Sequence, residues 1–289
     1  MTHPRLNGLI RRLERGESAA LSFCPPTVDA AISFSTSAYD GLIIECEHQA
    51  WDALALRDTF QYLLNRRQIA TSASVAPAVT PIVRIPANGA ERNQWLAKQA
   101  LDLGAYGIVW PHVSTVEQAH AAVAACRYPT LGSHPLHHPF GQRGDGPTTA
   151  ARYWGLTQAE YYQRADVWPL NPHGEILVVL MIEDVEGIEN LPAMLREVPG
   201  IGAVMIGEGD LSQELGIARQ YDHPLLLDAM ARILGICRQH GIPVAHPHVG
   251  VGNVDRIVDE GYRMLVCGPS RSYPALERVR ALDAPRQTS

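Results

Sequence analysis

The 289-residue sequence lacks the features that would assign it to several large classes of protein. No apolar stretch is long enough to span a bilayer, which argues against a transmembrane protein. There is no basic stripe or Lys/Arg run, and the formal net charge is -6. Both observations argue against nucleic acid or an anionic membrane as the main partner. The opening stretch, MTHPRLNGLIRRLERGES, carries charges throughout and lacks the apolar core of a secretory signal.

The cysteines also lack a paired or metal-binding arrangement. The sequence contains five of them, scattered along the chain, and none forms a CxxC pair. An odd number of cysteines with apolar neighbours is typical of reduced, buried thiols, so we expect a cytoplasmic protein without a structural zinc site. These residues are Cys24, Cys46, Cys126, Cys237 and Cys267.

Apolar residues, in contrast, make up 46% of the chain against 19% charged residues, as is typical of a globular protein with a sizeable core. Short apolar runs alternate with helical patterns, and most of the runs are uniformly apolar, as strands covered on both faces are. The predicted strands are Ala19–Cys24, Gly41–Cys46, Pro81–Ile85, Gly107–Trp110, Leu177–Ile182, Ala203–Ile206, Pro243–His246 and Met264–Cys267. The predicted helices include Asp52–Leu64, Glu91–Leu103, Val116–Cys126, Ile188–Glu197, Leu225–His240 and Val254–Glu260.

This alternation predicts an α/β fold with a parallel sheet, and the number of strands favours closure into a (β/α)8 TIM barrel. An open doubly wound sheet would need a glycine-rich phosphate turn, and neither GxGxxG nor a Walker sequence is present. We therefore expect a single barrel domain over residues 1–289, with a C-terminal helix at about 273–283. A long insertion at about 129–175, rich in histidine at 132–142, is typical of a lid, an active-site wall or an oligomer contact.

Acidic and histidine residues follow the second predicted strand, where a barrel places its active site. In GLIIECEHQAWD, Glu45 and Glu47 share a face at strand spacing, and His48 comes next. A histidine beside carboxylates is suited to be a general base. A solvated strand end with a structural ion pair is the alternative interpretation.

Two further acids follow later predicted strands. Glu183 comes directly after the apolar run in LVVLMIEDVEG, and Asp210 lies in a glycine-flanked turn in AVMIGEGDLSQELG. Two carboxylates from neighbouring strand ends, with waters and substrate oxygens, form a site for a hard divalent cation. Either acid alone could instead cap the helix that follows it.

The third predicted strand ends in an arginine, Arg84, in PIVRIPANG. Burying an unpaired guanidinium is costly, so this side chain needs an anionic partner. Its planar fork matches a substrate carboxylate. An ion pair across the barrel mouth with Glu45 or Glu47 is the alternative.

Together these stretches resemble the HpcH/HpaI family, the class II metal-dependent pyruvate aldolases, over roughly Asp40 to Leu282. The segments that carry the resemblance are ECEHQAWD, VRIP, LGAYGIVWPHVSTVEQAHAAVAACRYP, MIEDVEGIENL and VPGIGAVMIGEGDLSQELG. The resemblance implies a TIM barrel of the phosphoenolpyruvate/pyruvate type. It also implies a divalent metal cofactor (Mg, Mn or Co) and two small-molecule substrates, a 2-oxo acid and an aldehyde.

The resemblance implies roles for individual residues. Glu183 and Asp210 are similar to the two metal ligands, and His48 is similar to the acid–base histidine. Arg84 is similar to the arginine that holds the pyruvate carboxylate and enolate, which the amides of the Gly209–Asp210 turn would also meet. Glu45 stands where the family usually has an aspartate that supports the histidine, and its side chain is one methylene longer than that aspartate. Glu47 matches the acid before the histidine.

The sequence departs from the family pattern at several of these places. His112, which we count among the substrate-binding residues, stands at a usual methionine position, Met181 at a usual glutamine and Glu208 at a usual proline. Ala87 and Gly89 replace parts of a usual WND. The histidine-rich loop is longer than usual. We expect Glu208, His112 and this loop to determine the second substrate.

The function implied is a metal-dependent aldolase, a carbon–carbon lyase, that makes or cleaves 4-hydroxy-2-oxo acids through a pyruvate enolate. Lysine is very rare, and Lys98 lies on a predicted helix, which agrees with a mechanism without a Schiff base. The alternatives are an oxaloacetate decarboxylase, a citrate-synthase-like enzyme or an acyl-CoA lyase on the same barrel, and a non-catalytic 2-oxo-acid-binding protein. The resemblance also implies a homo-oligomer in which a C-terminal helix, here Ala275–Leu282, is exchanged between barrels to give dimers that assemble into hexamers.

Overall fold

The computed structural model describes residues 4–268 and 273–283. Its strands are β1 (Ala19–Cys24), β2 (Gly41–Glu45), β3 (Thr80–Arg84), β4 (Gly107–Trp110), β5 (Val167–Trp168), β6 (Ile176–Ile182), β7 (Ala203–Ile206), β8 (Val244–Val249) and β9 (Met264–Cys267). Its helices are α1 (Gly8–Glu14), α2 (Val28–Phe34), α3 (Ala53–Leu63), α4 (Arg66–Thr71), α5 (Gln94–Leu103), α6 (Val116–Ala125), α7 (Thr148–Trp154), α8 (Gln158–Arg164), α9 (Val185–Glu197), α10 (Glu208–Glu214), α11 (Pro224–Gln239), α12 (Val254–Glu260) and α13 (Pro274–Asp283).

The strands form a closed parallel barrel, which confirms the predicted fold class. Strands β1 to β4 and β6 to β9 pair in sequence order, and the pairing of β4 with β6 completes the ring. The two-residue strand β5 pairs with the beginning of β6. Each predicted strand is present, with ends that differ by at most a few residues. The longest extension is β8, which continues to Val249.

Helix α1, which the sequence patterns did not predict, lies at the amino-terminal end of the barrel. Leu9 and Ile10 are fully buried among the side chains that fill the barrel interior, such as Leu21. The Asn7 side chain caps the helix and donates a hydrogen bond of 3.0 Å to the carbonyl oxygen of Tyr106. Because α1 packs into this end, the carboxyl end of the strands is where a substrate can enter.

The insertion after α6 lies at the same amino-terminal end, so the interpretation as a lid or an active-site wall is wrong. A helix of a (β/α) unit runs back from the carboxyl end of its strand, and a segment that follows α6 and precedes β6 begins at the opposite end. The insertion contains α7, α8 and β5, and it contacts the end of α5. The Trp154 indole donates to the Gly104 carbonyl (2.8 Å), and Arg143 pairs with Asp102 (2.9 Å).

The histidine-rich loop belongs to this distal segment. Arg127, 1% exposed, donates hydrogen bonds of 2.7 Å to the carbonyl oxygens of Leu136 and Pro139. These bonds fix the loop against the end of α6. Its histidines therefore lie far from the carboxyl end of their own barrel, and the structure of the chain does not support the expectation that they determine the second substrate.

Helix α13 packs on the barrel within the chain. Asp283 accepts hydrogen bonds from the backbone N–H of Ser18 (3.1 and 3.2 Å), and Arg280 pairs with Asp40 at 2.6 Å. This confirms the predicted terminal helix at Pro274–Asp283. Across residues 4–268 and 273–283, none of the helices combines the length and apolar character needed to cross a membrane. All five cysteines are buried and unpaired.

Candidate active site

Arg84 and Glu45 form an ion pair at the carboxyl end of the barrel. They are register partners on the neighbouring strands β2 and β3, so their side chains lie side by side on one face. The Arg84 Nε donates to Glu45 Oε2 at 2.8 Å, and Nη2 contacts the same oxygen. Nη1 lies 3.0 Å from Glu47 Oε2, and the guanidinium carbon lies 4.8 Å from the centre of the Phe23 ring. The ion-pair interpretation of Arg84 is therefore confirmed.

Glu45 supports His48 through the backbone. Its Oε1 accepts the backbone N–H groups of Glu47 (2.8 Å) and His48 (3.1 Å), which fixes the bend that follows β2. The imidazole itself faces Glu47, with 3.7 Å between Nε2 and Oε2. The His48 side chain is 66% exposed and is accessible to a substrate.

Glu47 has a largely buried side chain with an incompletely satisfied carboxylate. Its Oε2 is close enough to Arg84 for a charge interaction, but it is not aligned with any hydrogen-bond donor. Burial raises the pKa of Glu47, and the positive charge of Arg84 offsets only part of that shift. One buried oxygen of this acid is thus left without a hydrogen bond.

Glu183 follows β6 and is 4% exposed. Its Oε1 accepts the backbone N–H of His112 at 2.5 Å, while Oε2 has no hydrogen-bond partner. The pKa of Glu183 is raised to about 7, chiefly by burial and in smaller part by the nearby carboxylates of Glu47 and Asp210. Gly207 makes room for this side chain, because a Cβ there would lie 2.3 Å from Glu183 Oε2. An unpaired buried oxygen among other acids is what a cation site requires.

Asp210 lies in the first turn of α10, beside Gly209. It lines a cavity of about 480 Å³ together with Glu183 and His112. The ligand atoms that approach one another most closely, however, come from a different set. One atom each from Glu47, His112 and Glu183 lie within 4.8 Å of one another. Within the described ranges, Asp210 does not belong to a group of this kind.

His112 follows β4 and belongs to the same cavity. Its Nδ1 lies 3.1 Å from Glu91 Oε1, and its side chain is 42% exposed. Burial by itself lowers the pKa of His112. The hydrogen bond to Glu91 and the charges of Glu183 and Glu47 outweigh burial and raise that pKa. Glu91 was predicted as part of a helix, but α5 begins at Gln94, which frees Glu91 to reach the site.

Glu208 lies in a different environment from the one expected. Its buried side chain forms an ion pair with His248 Nδ1. Both residues line a second cavity, of about 570 Å³, together with residues of α11 and α12. This cavity does not include Glu183 or Asp210, so the expectation that Glu208 determines the second substrate is not supported. His248 was missed because the run VAHPHV reads as a buried strand.

Comparison with known proteins identifies relatives of this chain. A family profile described as HpcH/HpaI aldolase/citrate lyase matches residues 23–271. A 2-keto-3-deoxy-L-rhamnonate aldolase of Klebsiella pneumoniae is 34% identical over 190 residues, which is 66% of this chain and 59% of that protein. Its Salmonella schwarzengrund counterpart is 34% identical over 70% of this chain and 62% of that protein. The match thus spans less than two thirds of the length of these curated relatives.

Solved structures share the fold over nearly the whole chain. An HpcH/HpaI aldolase/citrate lyase family protein from Burkholderia cenocepacia superposes with a TM-score of 0.73 and 25% identity, covering 96% of this chain and 98% of that one. An HpcH/HpaI aldolase from Desulfitobacterium hafniense gives a TM-score of 0.71 at 24% identity, covering 95% and 94%. The second likeness, at this identity, bears on the fold alone.

Proposed function

The chain belongs to the HpcH/HpaI aldolase/citrate lyase family, and on that premise we propose that it is a metal-dependent aldolase acting on 4-hydroxy-2-oxo acids through a pyruvate enolate. The observation that carries the proposal is Glu183, whose buried Oε2 has no hydrogen-bond partner and which shares a cavity with Asp210. A buried, unpaired carboxylate is costly unless a cation completes it. The compound named for the relatives, 2-keto-3-deoxy-L-rhamnonate, is itself a 4-hydroxy-2-oxo acid.

Glu183 and Asp210 would hold the cation, and Mg²⁺, Mn²⁺ and Co²⁺ all accept carboxylate oxygens. A bound divalent cation supplies Lewis-acid polarisation of the 2-oxo group and stabilisation of the enolate charge. The amides of Gly209 and Asp210 lie in the first turn of α10, where they can meet a substrate carboxylate.

Arg84 would hold the carboxylate or the enolate oxygen of the substrate. Glu45 engages its Nε and Nη2, so Nη1 is the edge that remains for a substrate. Glu45 does not contact Nη1, which lies 3.0 Å from Glu47 Oε2 and 4.0 Å from the Met181 sulfur. A substrate carboxylate would share Nη1 with these two groups. A guanidinium held on one edge by a carboxylate keeps its orientation, which favours a fixed geometry for the bound 2-oxo acid.

His48 would accept the proton of the substrate's 4-hydroxyl group. Loss of that proton lets the oxygen's electron pair form the aldehyde carbonyl, while the C3–C4 bond breaks and its electron pair passes to the pyruvate enolate. A proton delivered to C3 then gives pyruvate. In the synthetic direction the same imidazole returns its proton to the aldol oxygen. Glu47 Oε2 lies 3.7 Å from Nε2 and would help to orient the ring.

The aldehyde portion would occupy a recess on the other side of Arg84. Phe23 lies against the guanidinium and lines a cavity of about 370 Å³ together with Pro247, His248 and Val266. The recess is mostly apolar, and His248 is the histidine among its lining residues. We propose that this recess takes the place of Glu208 and the histidine-rich loop as the determinant of the second substrate.

A different electrophile for the same enolate would give an oxaloacetate decarboxylase, a citrate-synthase-like enzyme or an acyl-CoA lyase. The cavity beside Glu183 favours the aldolase over the CoA ester, because a polyanionic substrate would meet a negative wall there. The acids that line this cavity are Glu91, Glu183, Asp184, Glu186, Asp210 and Glu214.

The test is pyruvate release from 2-keto-3-deoxy-L-rhamnonate and shorter 4-hydroxy-2-oxo acids, before and after EDTA treatment. We expect turnover that EDTA abolishes and divalent cations restore. A kcat/KM for oxaloacetate above that for every aldol substrate would favour the decarboxylase instead. Turnover indifferent to EDTA, or equal turnover by wild type and His48→Ala, would contradict the proposal.

The proposal includes a homo-oligomer in the cytoplasm. The five buried, unpaired cysteines support a reducing compartment. The family membership supports the dimer, but α13 packs on its own barrel through Asp283 and Arg280, so the expected helix exchange is not seen in this chain. Light scattering of the purified protein would test the dimer. A monomer across the micromolar range would contradict it.

A further inference from the structure

A histidine stands among the carboxylates at the proposed cation site. One ligand atom each from Glu47, His112 and Glu183 lie within 4.8 Å of one another, close enough to converge on a single ion. Two of the three are acids, which supply oxygen ligands, and the third supplies an imidazole nitrogen. The presence of this nitrogen changes which cation the site prefers.

The orientation of His112 is set by Glu91. A carboxylate can only accept, so the bond of 3.1 Å between Nδ1 and Glu91 Oε1 places the ring proton on Nδ1. In the neutral ring, which is the form that binds a cation, Nε2 then keeps its lone pair for that ligand. The other Glu91 oxygen accepts the backbone N–H of Gly89 at 2.9 Å, which anchors the carboxylate itself. A carboxylate that orients a histidine in this way is the usual support of a metal-binding imidazole.

The backbone at His112 is held in an unfavourable conformation. Its φ is +58°, in the left-handed region that is uncommon for residues other than glycine, although asparagine, aspartate and histidine adopt it more frequently than most. Gly89 packs directly onto it, since a Cβ at Gly89 would lie 1.7 Å from the His112 carbonyl oxygen. Strain of this kind persists where the surroundings impose it, and it is found frequently at ligand sites.

The acids beside His112 supply the independent sign of a ligand. Oε2 of Glu183 and Oε2 of Glu47 are both buried and have no hydrogen-bond partner. The side chain of Glu47 is 7% exposed and Glu183 is 4% exposed. Glu183 Oε2 has no partner, and Glu47 Oε2 has only its charge contact with Arg84. Two such oxygens beside an imidazole are the complement of a cation.

We propose that His112, through Nε2, is a ligand of the cation that Glu183 binds, with Glu47 beside it. The site therefore prefers a borderline ion such as Co²⁺ or Zn²⁺ over Mg²⁺, because imidazole binds such ions more strongly. The inference rests on the proposed function in one respect, namely that a cation binds at Glu183.

The test compares cation binding by the metal-free protein and its variants. His112→Asn removes the imidazole and suits the positive φ, since asparagine tolerates that region. His120→Asn makes the same change at an exposed position of α6. By calorimetry, His112→Asn should raise the Kd for Co²⁺ by about tenfold or more and leave the Kd for Mg²⁺ nearly unchanged. His120→Asn should change neither.

A spectroscopic measurement reports the nitrogen directly. Pulsed EPR of the Mn²⁺-loaded wild type should show ¹⁴N modulation from a bound imidazole, which disappears in His112→Asn and persists in His120→Asn. Glu91→Gln keeps the imidazole but loosens its support, so it should weaken Co²⁺ binding while the modulation remains.

The outcomes separate this inference from the proposed function. Modulation that is absent in the wild type, or that persists in His112→Asn, overturns the role of His112. If Glu183→Gln abolishes cation binding in that case, the proposed cation site stands without the histidine. If Glu183→Gln binds Co²⁺ and Mg²⁺ as the wild type does, the cation is not at Glu183, and both proposals fail.

Discussion

The Glu183 carboxylate accepts the backbone N–H of His112 at 2.5 Å, from the neighbouring strand end across the β4–β6 pairing. One oxygen of Glu183 is thereby used to hold the turn after β4, and the other is left without a partner. The bond is to the backbone, so a substitution of the His112 side chain leaves it in place. Oε1 of Glu183 thus has a structural role, and Oε2 is the oxygen that can bind a cation.

Glu183→Gln should stabilise the metal-free protein. The raised pKa, about 7, means that ionised Glu183 disfavours the folded state. This destabilisation is absent below the unfolded pKa of about 4.5 and is complete above pH 7. At pH 8 we expect the variant to gain about 1–3 kcal/mol in free energy of unfolding, measured by urea denaturation.

Glu189→Gln, at an exposed position of α9, is the matched control and should show no gain. Added Mn²⁺ should stabilise the wild type by mass action and leave Glu183→Gln unchanged, which reverses their order. A Glu183→Gln variant less stable than the wild type without metal at pH 8 would show that the carboxylate is not an unpaired buried charge.

The strand ends of this site could be predicted because periodicity and topology determine them. Uniformly apolar runs locate the strands, and parallel strands bring the polar residues that follow them to one end. Glu45, Arg84, Glu183 and Asp210 were found in this way, and register on β2 and β3 explains the ion pair of the first two. The contact between Glu91 and His112 could not be found, because it depends on a left-handed backbone and on the packing of Gly89.

The position of the insertion at the amino-terminal end of the barrel, in contrast, could have been predicted from the sequence. A segment that follows a helix and precedes a strand begins and ends at the amino-terminal end of a parallel barrel. The histidines of the 132–142 loop lie after α6, so their abundance says nothing about the active site. The histidine content of the loop suggested a role in the active site, but the direction of the chain places the loop at the opposite end of the barrel.

His48→Asn should lower kcat/KM for 4-hydroxy-2-oxo acids by about 100- to 10,000-fold, as expected for loss of a general base. The His48 side chain is largely exposed, so the variant should fold with the stability of the wild type. A coupled pyruvate assay measures the rate. Exchange of the C3 protons of pyruvate with D₂O, followed by NMR, shows whether enolate formation survives without the imidazole. A rate within twofold of the wild type, roughly, would exclude His48 as the base.

Arg84→Lys should raise KM for the 2-oxo acid and also destabilise the protein. A lysine cannot reproduce the two contacts with Glu45, which leaves a nearly buried carboxylate poorly paired. We expect a loss of about 1–3 kcal/mol in free energy of unfolding. Arg57→Lys, at an exposed ion pair on α3, is the control. A destabilised variant with unchanged KM would assign Arg84 a structural role only.

The triple variant His134→Ala/His137→Ala/His138→Ala should retain the kcat/KM of the wild type. The loop is held to the amino-terminal end of the barrel by the bonds from Arg127. Its side chains cannot reach a substrate at the opposite end. A pyruvate assay with two aldehydes of different size would detect a change in specificity, and a shift for either one would mean that the loop reaches an active site, for instance that of a neighbouring subunit.

His246 should make the protein less stable at mildly acidic pH. The residue is 6% exposed, its Nδ1 accepts the His248 N–H at 3.2 Å, and its ring packs edge-on against Tyr262. Burial lowers the pKa of His246 to about 4, so the folded protein keeps the ring neutral where the unfolded chain takes up a proton. Stability from this residue is therefore complete above about pH 6.5 and is lost as the pH falls towards 4.

The full loss would amount to about 3 kcal/mol, and Glu183, which gains stability as it is protonated, acts in the opposite direction over the same range. His246→Asn keeps a hydrogen-bond acceptor and removes the titration. Urea denaturation at pH 7.5 and 4.5 should give a smaller difference in free energy of unfolding for this variant than for the wild type. His120→Asn, which makes the same change at an exposed position of α6, should keep the wild-type difference. If the free energy of unfolding changed equally between the two pH values in wild type and His246→Asn, protonation of the buried ring would not destabilise the fold. Any acid sensitivity would then come from other groups.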